Sequence, residues 1–138
     1  MTEATEVSSS LILEGGGNRG VFTAGALDFL MEKDVKFPYV VGVSAGSCNA
    51  LDYVSHQPGR TRDCMIVENK ENSYIATRAA LKKHQLFDMD MVFDRYPNEL
   101  FPFDFDTFFQ SDIQCEMVVT NCLTGDAEYM SEKHDRQR

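Results

Sequence analysis

Basic residues are scarce in this chain: 13 Lys and Arg stand against 22 Asp and Glu, a formal net charge of −9 over 138 residues. Such a molecule repels phosphate backbones and anionic lipid as a whole, and no basic cluster supplies a local exception, so nucleic acid is not an expected partner. Long apolar runs are missing as well, since nothing approaches the roughly 18 residues of a membrane span. The opening Met1-Thr2-Glu3-Ala4-Thr5-Glu6 has neither the basic nor the apolar region of a secretory signal. A cytoplasmic protein with at most transient membrane contact is expected. The four cysteines, Cys48, Cys64, Cys115 and Cys122, form no C-x-x-C pair. A chain of this size folds without a disulfide framework, so free thiols and no zinc site are expected. Asp88, Asp90, Asp94, Asp104 and Asp106 lack the spacing, central Gly and terminal Glu of a calcium loop, so no metal or cofactor is anticipated. What is present is an ordinary globular composition, 43% hydrophobic, enough for about one domain with a buried core.

Residues 1–9 read as a polar lead and residues 10–138 as the domain. Ser10-Leu11-Ile12-Leu13-Glu14 is a short apolar run that stops at Gly15-Gly16-Gly17-Asn18-Arg19-Gly20, as a buried strand entering a loop does. A helix follows, with Phe22, Ala26, Phe29 and Leu30 on its apolar stripe and Lys33 near its end. Tyr39 to Val43 reads as a second buried strand, and Ala45 to about His56 as a second helix, ended by Pro58-Gly59. Further on, Asn72–Lys83 is expected to be helical, and Met89–Arg95 a short helix stopped by Tyr96-Pro97. Gln114–Thr120 and Ala127–Met130, around the turn Leu123–Asp126, predict a hairpin. The phenylalanines and methionines between Phe87 and Phe109 are expected to pack on the sheet, and Arg60, Arg62 and Asp63 to be surface charges.

Two glycine motifs carry chemistry. Gly42-Val43-Ser44-Ala45-Gly46 fits G-x-S-x-G between a strand and a helix, the setting of a nucleophile elbow, where glycines let backbone pass close to a strained turn. Ser44 would project its hydroxyl, and the Ala45 N–H with the new helix dipole would face a developing oxyanion. The plain alternative is a Gly-rich turn with Ser44 as helix N-cap. Gly15–Gly20 also fits G-x-G-x-x-G, which raises a Rossmann-like nucleotide-binding module. That reading needs an acidic residue about 20 positions on, where Val40-Val41-Gly42-Val43-Ser44 holds none. A P-loop is excluded because Gly20 is followed by Val21-Phe22. What remains is a loop of backbone N–H groups suited to an oxyanion.

The G-G-G-x-R-G loop, the helix start Thr23-Ala24-Gly25-Ala26-Leu27 and the G-V-S-A-G elbow together resemble the patatin-like phospholipase family, in its bacterial branch, over about residues 10–60. The resemblance implies a three-layer α/β/α fold with a mainly parallel sheet. It also implies a lipid acyl hydrolase acting on a lipid or ester, with Ser44 as nucleophile of a Ser-Asp dyad and Gly16, Gly17 and Arg19 lining the oxyanion loop. Gly15, Gly20, Gly42 and Gly46 complete the two motifs. Family members carry the Asp in an Asp-Gly-Gly or Asp-Gly-Ala motif downstream, and this chain contains no Asp-Gly. His56 lies 12 residues past Ser44 on one helix, roughly 18 Å along its axis, too far to act as base. His84 and His134 sit in charged stretches, and Asp126 has a turn role that explains it. The expectation is therefore a nucleophile and oxyanion hole without their acid: the N-terminal part of a longer domain, inactive alone. A non-catalytic lipid-binding remnant is the alternative, and an unpaired sheet edge invites self-association.

Overall fold

Strand pairing organises the molecule. The computed structural model describes residues 5–6, 8–75 and 87–131. β1 (Thr5–Glu6) pairs parallel with β3 (Val35–Lys36) in a two-stranded ribbon. The main sheet is built from β2 (Ser10–Leu13), β4 (Tyr39–Val43), β5 (Gln114–Thr120) and β6 (Ala127–Ser131) in that spatial order. β2, β4 and β5 are parallel and β6 returns antiparallel. Parallel neighbours need a crossover, which α1 (Gly20–Glu32) supplies between β2 and β4 and α2 (Ala45–Val54) begins after β4. The α/β class, the mainly parallel sheet and the C-terminal hairpin are thus all present. The hairpin turn is closed by the Asn121 N–H donating to the Asp126 carbonyl at 2.8 Å, with Gly125 at φ +82°.

Strand alternation sorts the sheet into two faces. Leu13, Val40 and Cys115 are buried on the face where α2 packs on β2, β4 and β5. Leu13 and Val40 each contribute about 1.5–3 kcal/mol by leaving water. On the opposite face Ile12 is 74% exposed and Tyr129 61%, and among the described residues no helix covers them. Of the two helical layers of an α/β/α fold, one is therefore seen among the described residues, and β2 is buried on one face only.

α1 corrects the expected apolar stripe. Its buried residues are Gly20, Ala24, Leu27 and Met31, while Phe22 and Phe29 face outward. Both stripes have helical spacing, and the one with the smaller side chains lets α1 lie against α2. α2 ends before Pro58: the His56 N–H donates to the Tyr53 carbonyl and the Gln57 N–H to that of Asp52, with His56 at φ +52°. This is a Schellman stop, which satisfies the last carbonyls without proline.

The chain divides into two compact units, residues 1–61 with 104–138, and residues 62–103. α3 (Arg60–Met65) begins the second stretch. Within the second unit, Tyr74 stacks on Phe87 and meets Tyr96 edge-on, and Tyr96 meets Phe101. These rings pack on one another, and Phe93 is 71% exposed, so the aromatic segment is not simply sheet cover. The helix expected to stop at Tyr96-Pro97 runs through it. α4 (Met91–Leu100) winds as a π-helix with Pro97 inside, and its i to i+5 bonding, seen in the Phe101 N–H to the Tyr96 carbonyl at 2.8 Å, moves away the carbonyl a proline ring strikes in an α-helix. Of the helix expected over 72–83, Asn72 ends a short 3-10 turn and Ile75 bridges Phe87 in antiparallel sense. Residues 76–83 lie outside the described residues. α5 (Phe105–Gln110) is capped by Asp104, whose side chain accepts the Thr107 N–H at 2.9 Å.

Candidate active site

Ser44 stands between the last residue of β4 and the first of α2, at φ +54° and ψ −122°. A non-glycine residue there holds roughly 1–3 kcal/mol of backbone strain. Its side chain makes no capping bond to α2, and the residue is exposed. The N-cap account of this serine is therefore not what the local structure uses.

Two glycines make the turn sterically feasible. A Cβ on Gly42 would lie 2.5 Å from the Gly46 carbonyl oxygen and 2.7 Å from Ser47 Cα. One on Gly46 would overlap the Leu13 carbonyl oxygen and come within 2.8 Å of that of Glu14. Real Cβ atoms do not approach so closely, so helix α2 sits on the end of β2 only because residue 46 has no side chain. Ser47 Oγ then donates to the Gly42 carbonyl at 2.9 Å, tying strand to helix.

That seating brings the glycine loop to the serine. A Cβ on Gly15 would lie 3.2 Å from Ser44 Cβ and 3.8 Å from Ser44 Oγ. The loop continues through Gly16 into a 3-10 turn, Gly17–Arg19, with Gly17 at φ +55°, and enters α1 at Gly20. Arg19 turns back on its own loop, its N–H donating to the Gly16 carbonyl at 3.2 Å and Nε at 3.4 Å. An open cleft of about 640 Å³ is lined here by Gly15, Gly16, Arg19, Phe22 and Thr23. A larger one, about 820 Å³, lies between Phe37, Pro38, Tyr53 and His56. It faces the beginning of β4, roughly 17 Å of strand away from Ser44. Size by itself therefore does not mark a site.

Ala45 is buried as the first residue of α2. His56 lies past the far end of that helix, as its chain distance requires. Asp126 sits in the hairpin turn, its N–H donating to Thr124 Oγ1 at 3.2 Å, and is exposed. His84 and His134 lie outside the described residues. Among the described residues no cluster of metal-binding side chains is gathered.

Sequence reasoning passed over two buried polar residues of α2. Asp52 accepts from Arg60 Nη1 at 2.8 Å and Thr61 Oγ1 at 2.5 Å. Burial pushes its carboxyl above the ordinary range, against the opposing pull of Arg60 and Thr61. Arg60, expected as a surface charge, is thus the partner of a buried carboxylate. Asn49 is 2% exposed and donates to the Gly20 carbonyl at 3.1 Å. The available signal was the placement of Asn49 and Asp52 among the buried positions of a helix.

Residues 11–113 match the patatin-like phospholipase family. This chain belongs to that family. It is also similar to the uncharacterized protein YjjU of Escherichia coli strain K12, at 30% identity over 99 residues. The match takes in 71% of this chain and 28% of YjjU, so the chain spans little more than a quarter of that relative's length. No solved structure matches it.

Proposed function

We propose that this chain carries the nucleophile and oxyanion loop of a serine lipid acyl hydrolase of the phospholipase or esterase type. The observation that carries the reading is the backbone of Ser44, held at φ +54° between β4 and α2 with Gly15 packed against it. Strain at a small exposed nucleophile is kept where the surrounding fold over-determines it. In the proposed reaction Ser44 Oγ attacks the ester carbonyl, its proton passes to a base, and the carbonyl oxygen takes the negative charge. The Gly16, Gly17 and Ala45 N–H groups hold that charge, with the α2 dipole behind them. Collapse expels the alcohol, which takes up the proton, and water then releases the acid from Ser44. The base is an aspartate of an Asp-Gly motif in a longer gene product, as the resemblance implies. The setting proposed is cytoplasmic, with transient contact at the lipid surface.

The test is hydrolysis of short p-nitrophenyl esters by this chain and by the longer product. This chain should sit near the background, because an oxyanion hole and binding alone leave about 10³–10⁴ over water. The longer product should turn over and lose at least about a thousandfold on Ser44→Ala. Unchanged turnover in the Ser44→Ala protein would overturn the reading. Ser44-dependent turnover by the 138 residues themselves would place a base within them, and Asp126→Asn and His84→Ala would then identify it.

A further inference from the structure

We propose that Asn49 is a positioning residue that clamps the glycine loop to the elbow helix. The inference rests on the hydrolase reading for its catalytic consequence, and on geometry for the clamp itself. Asn49 lies five residues after Ser44 on α2, about 7.5 Å along the helix axis, so it does not touch the reacting atoms. Its Nδ2 reaches across to α1 and donates to the carbonyl of Gly20, the buried residue where the loop ends and α1 begins. The other end of the loop is held by the same helix, where Gly46 meets the carbonyls of Leu13 and Glu14. α2 therefore grips the loop at entry and exit, while between them Gly17 adopts φ +55° with open space around its Cβ position.

The cost of this arrangement points to its purpose. Asn49 Oδ1 is buried and has no hydrogen-bond partner among the described residues. A buried polar atom left unpaired costs more than one ordinary hydrogen bond returns, so an apolar side chain would serve stability as well or better. What an apolar side chain cannot do is fix the Gly20 peptide. Fixing it sets the direction in which the loop N–H groups point, and a shift of about 1 Å in such donors is enough to cost a hundredfold in rate. Local rules are broken in this way where function demands it.

Two measurements test the clamp. Amide hydrogen exchange on this chain, in the wild type, Asn49→Leu and Asn49→Ala, reads the loop directly. Exchange across residues 15–20 should rise about tenfold or more in both variants while the amides of β4 and β5 keep wild-type rates. Kinetics on the active longer product, expressed per folded active site by burst titration so that loss of folded protein drops out, should show kcat down about 10- to 100-fold with KM within about twofold. Wild-type loop exchange and kcat in a folded Asn49→Leu protein would overturn the proposal, as would an exchange increase spread evenly through the sheet. Should the leucine prevent folding, the alanine variant gives the same two readings. Ser44→Ala is the separate control: if it leaves turnover untouched the hydrolase reading fails, and the exchange result still decides the clamp.

Discussion

Glycines in this chain are not interchangeable, and the differences are steric. Gly46 touches backbone that cannot yield, because its missing Cβ would fall on the Leu13 carbonyl, whereas Gly25 lies exposed within α1 with nothing within 4 Å. Gly46→Ala should therefore cost about 3 kcal/mol or more by forcing α2 off β2. Gly25→Ala should stabilise by about 0.5–1 kcal/mol through helix propensity. Denaturant unfolding of the two proteins checks the pair, and equal effects would mean that the seating of α2 has been misread. A second residue-scale prediction concerns the open sheet face, where Tyr39 Oη donates to Glu116 Oε2 at 2.5 Å. The hydrogen bond to that carboxylate, helped by burial and by the negative charge itself, pushes the phenol up to about 12 from the usual 10. The folded state thus keeps a proton that the unfolded chain releases. The contribution is complete below about pH 10 and is lost as pH rises through about 12. Glu116→Gln should return Tyr39 to about its ordinary value of 10, read by NMR titration of labelled tyrosine rings. A Tyr39 titration unmoved by that change would remove the carboxylate as the cause.

At the scale of elements, patterning located the secondary structure well and oriented it less well. β4 and β5 fall on the residues their apolar runs mark, because a strand's identity is carried by its own side chains and by the turns that bound it. Pattern alone does not decide the buried stripe of α1, because Phe22, Phe29 and the set Ala24, Leu27 and Met31 share one period. Period does not say which face meets the neighbour, and that choice belongs to tertiary packing. The π-winding of α4 was illegible for a related reason: Pro97 is a local stop signal, overridden by bonding one residue wider than the local rule assumes. The elbow was legible because its glycines are demanded by backbone contact, which leaves a trace in sequence. Asn49 was not, since its meaning depends on a carbonyl 29 residues away. The orientation of α1 yields a direct test. Phe22→Ser and Phe29→Ser should each change stability by no more than about 0.5 kcal/mol, while Leu27→Ala should cost about 2–5 kcal/mol. Thermal unfolding distinguishes them, and a large loss at Phe22 would restore the aromatic stripe as core.

The whole molecule is strongly acidic, and among the described residues of its first unit one sheet face leaves apolar side chains exposed. Register places Ile12 beside the buried Val41 in one row, and Val43, Val118 and Tyr129 side by side in the next, so exposed apolar side chains of β2, β4 and β6 share this face. The sheet edges are weaker templates for association: β2 is only four residues long, and β6 carries Glu128. Short and charged edges are poor partners for a further strand. Apolar faces of this kind drive association, while a net charge of −9 opposes it. The two forces respond oppositely to salt, since screening removes the repulsion and leaves the apolar term. Sedimentation should therefore show weak self-association of this chain that strengthens between about 0.02 M and 0.5 M salt. An assembly held by ion pairs would weaken over the same range. The double change Ile12→Lys with Tyr129→Lys adds charge to this face without touching the core face. It should abolish the association and leave the unfolding midpoint within a few degrees of wild type, because both side chains are exposed. A chain monomeric at every salt concentration, or an association indifferent to the double change, would show that this face does not bind another copy.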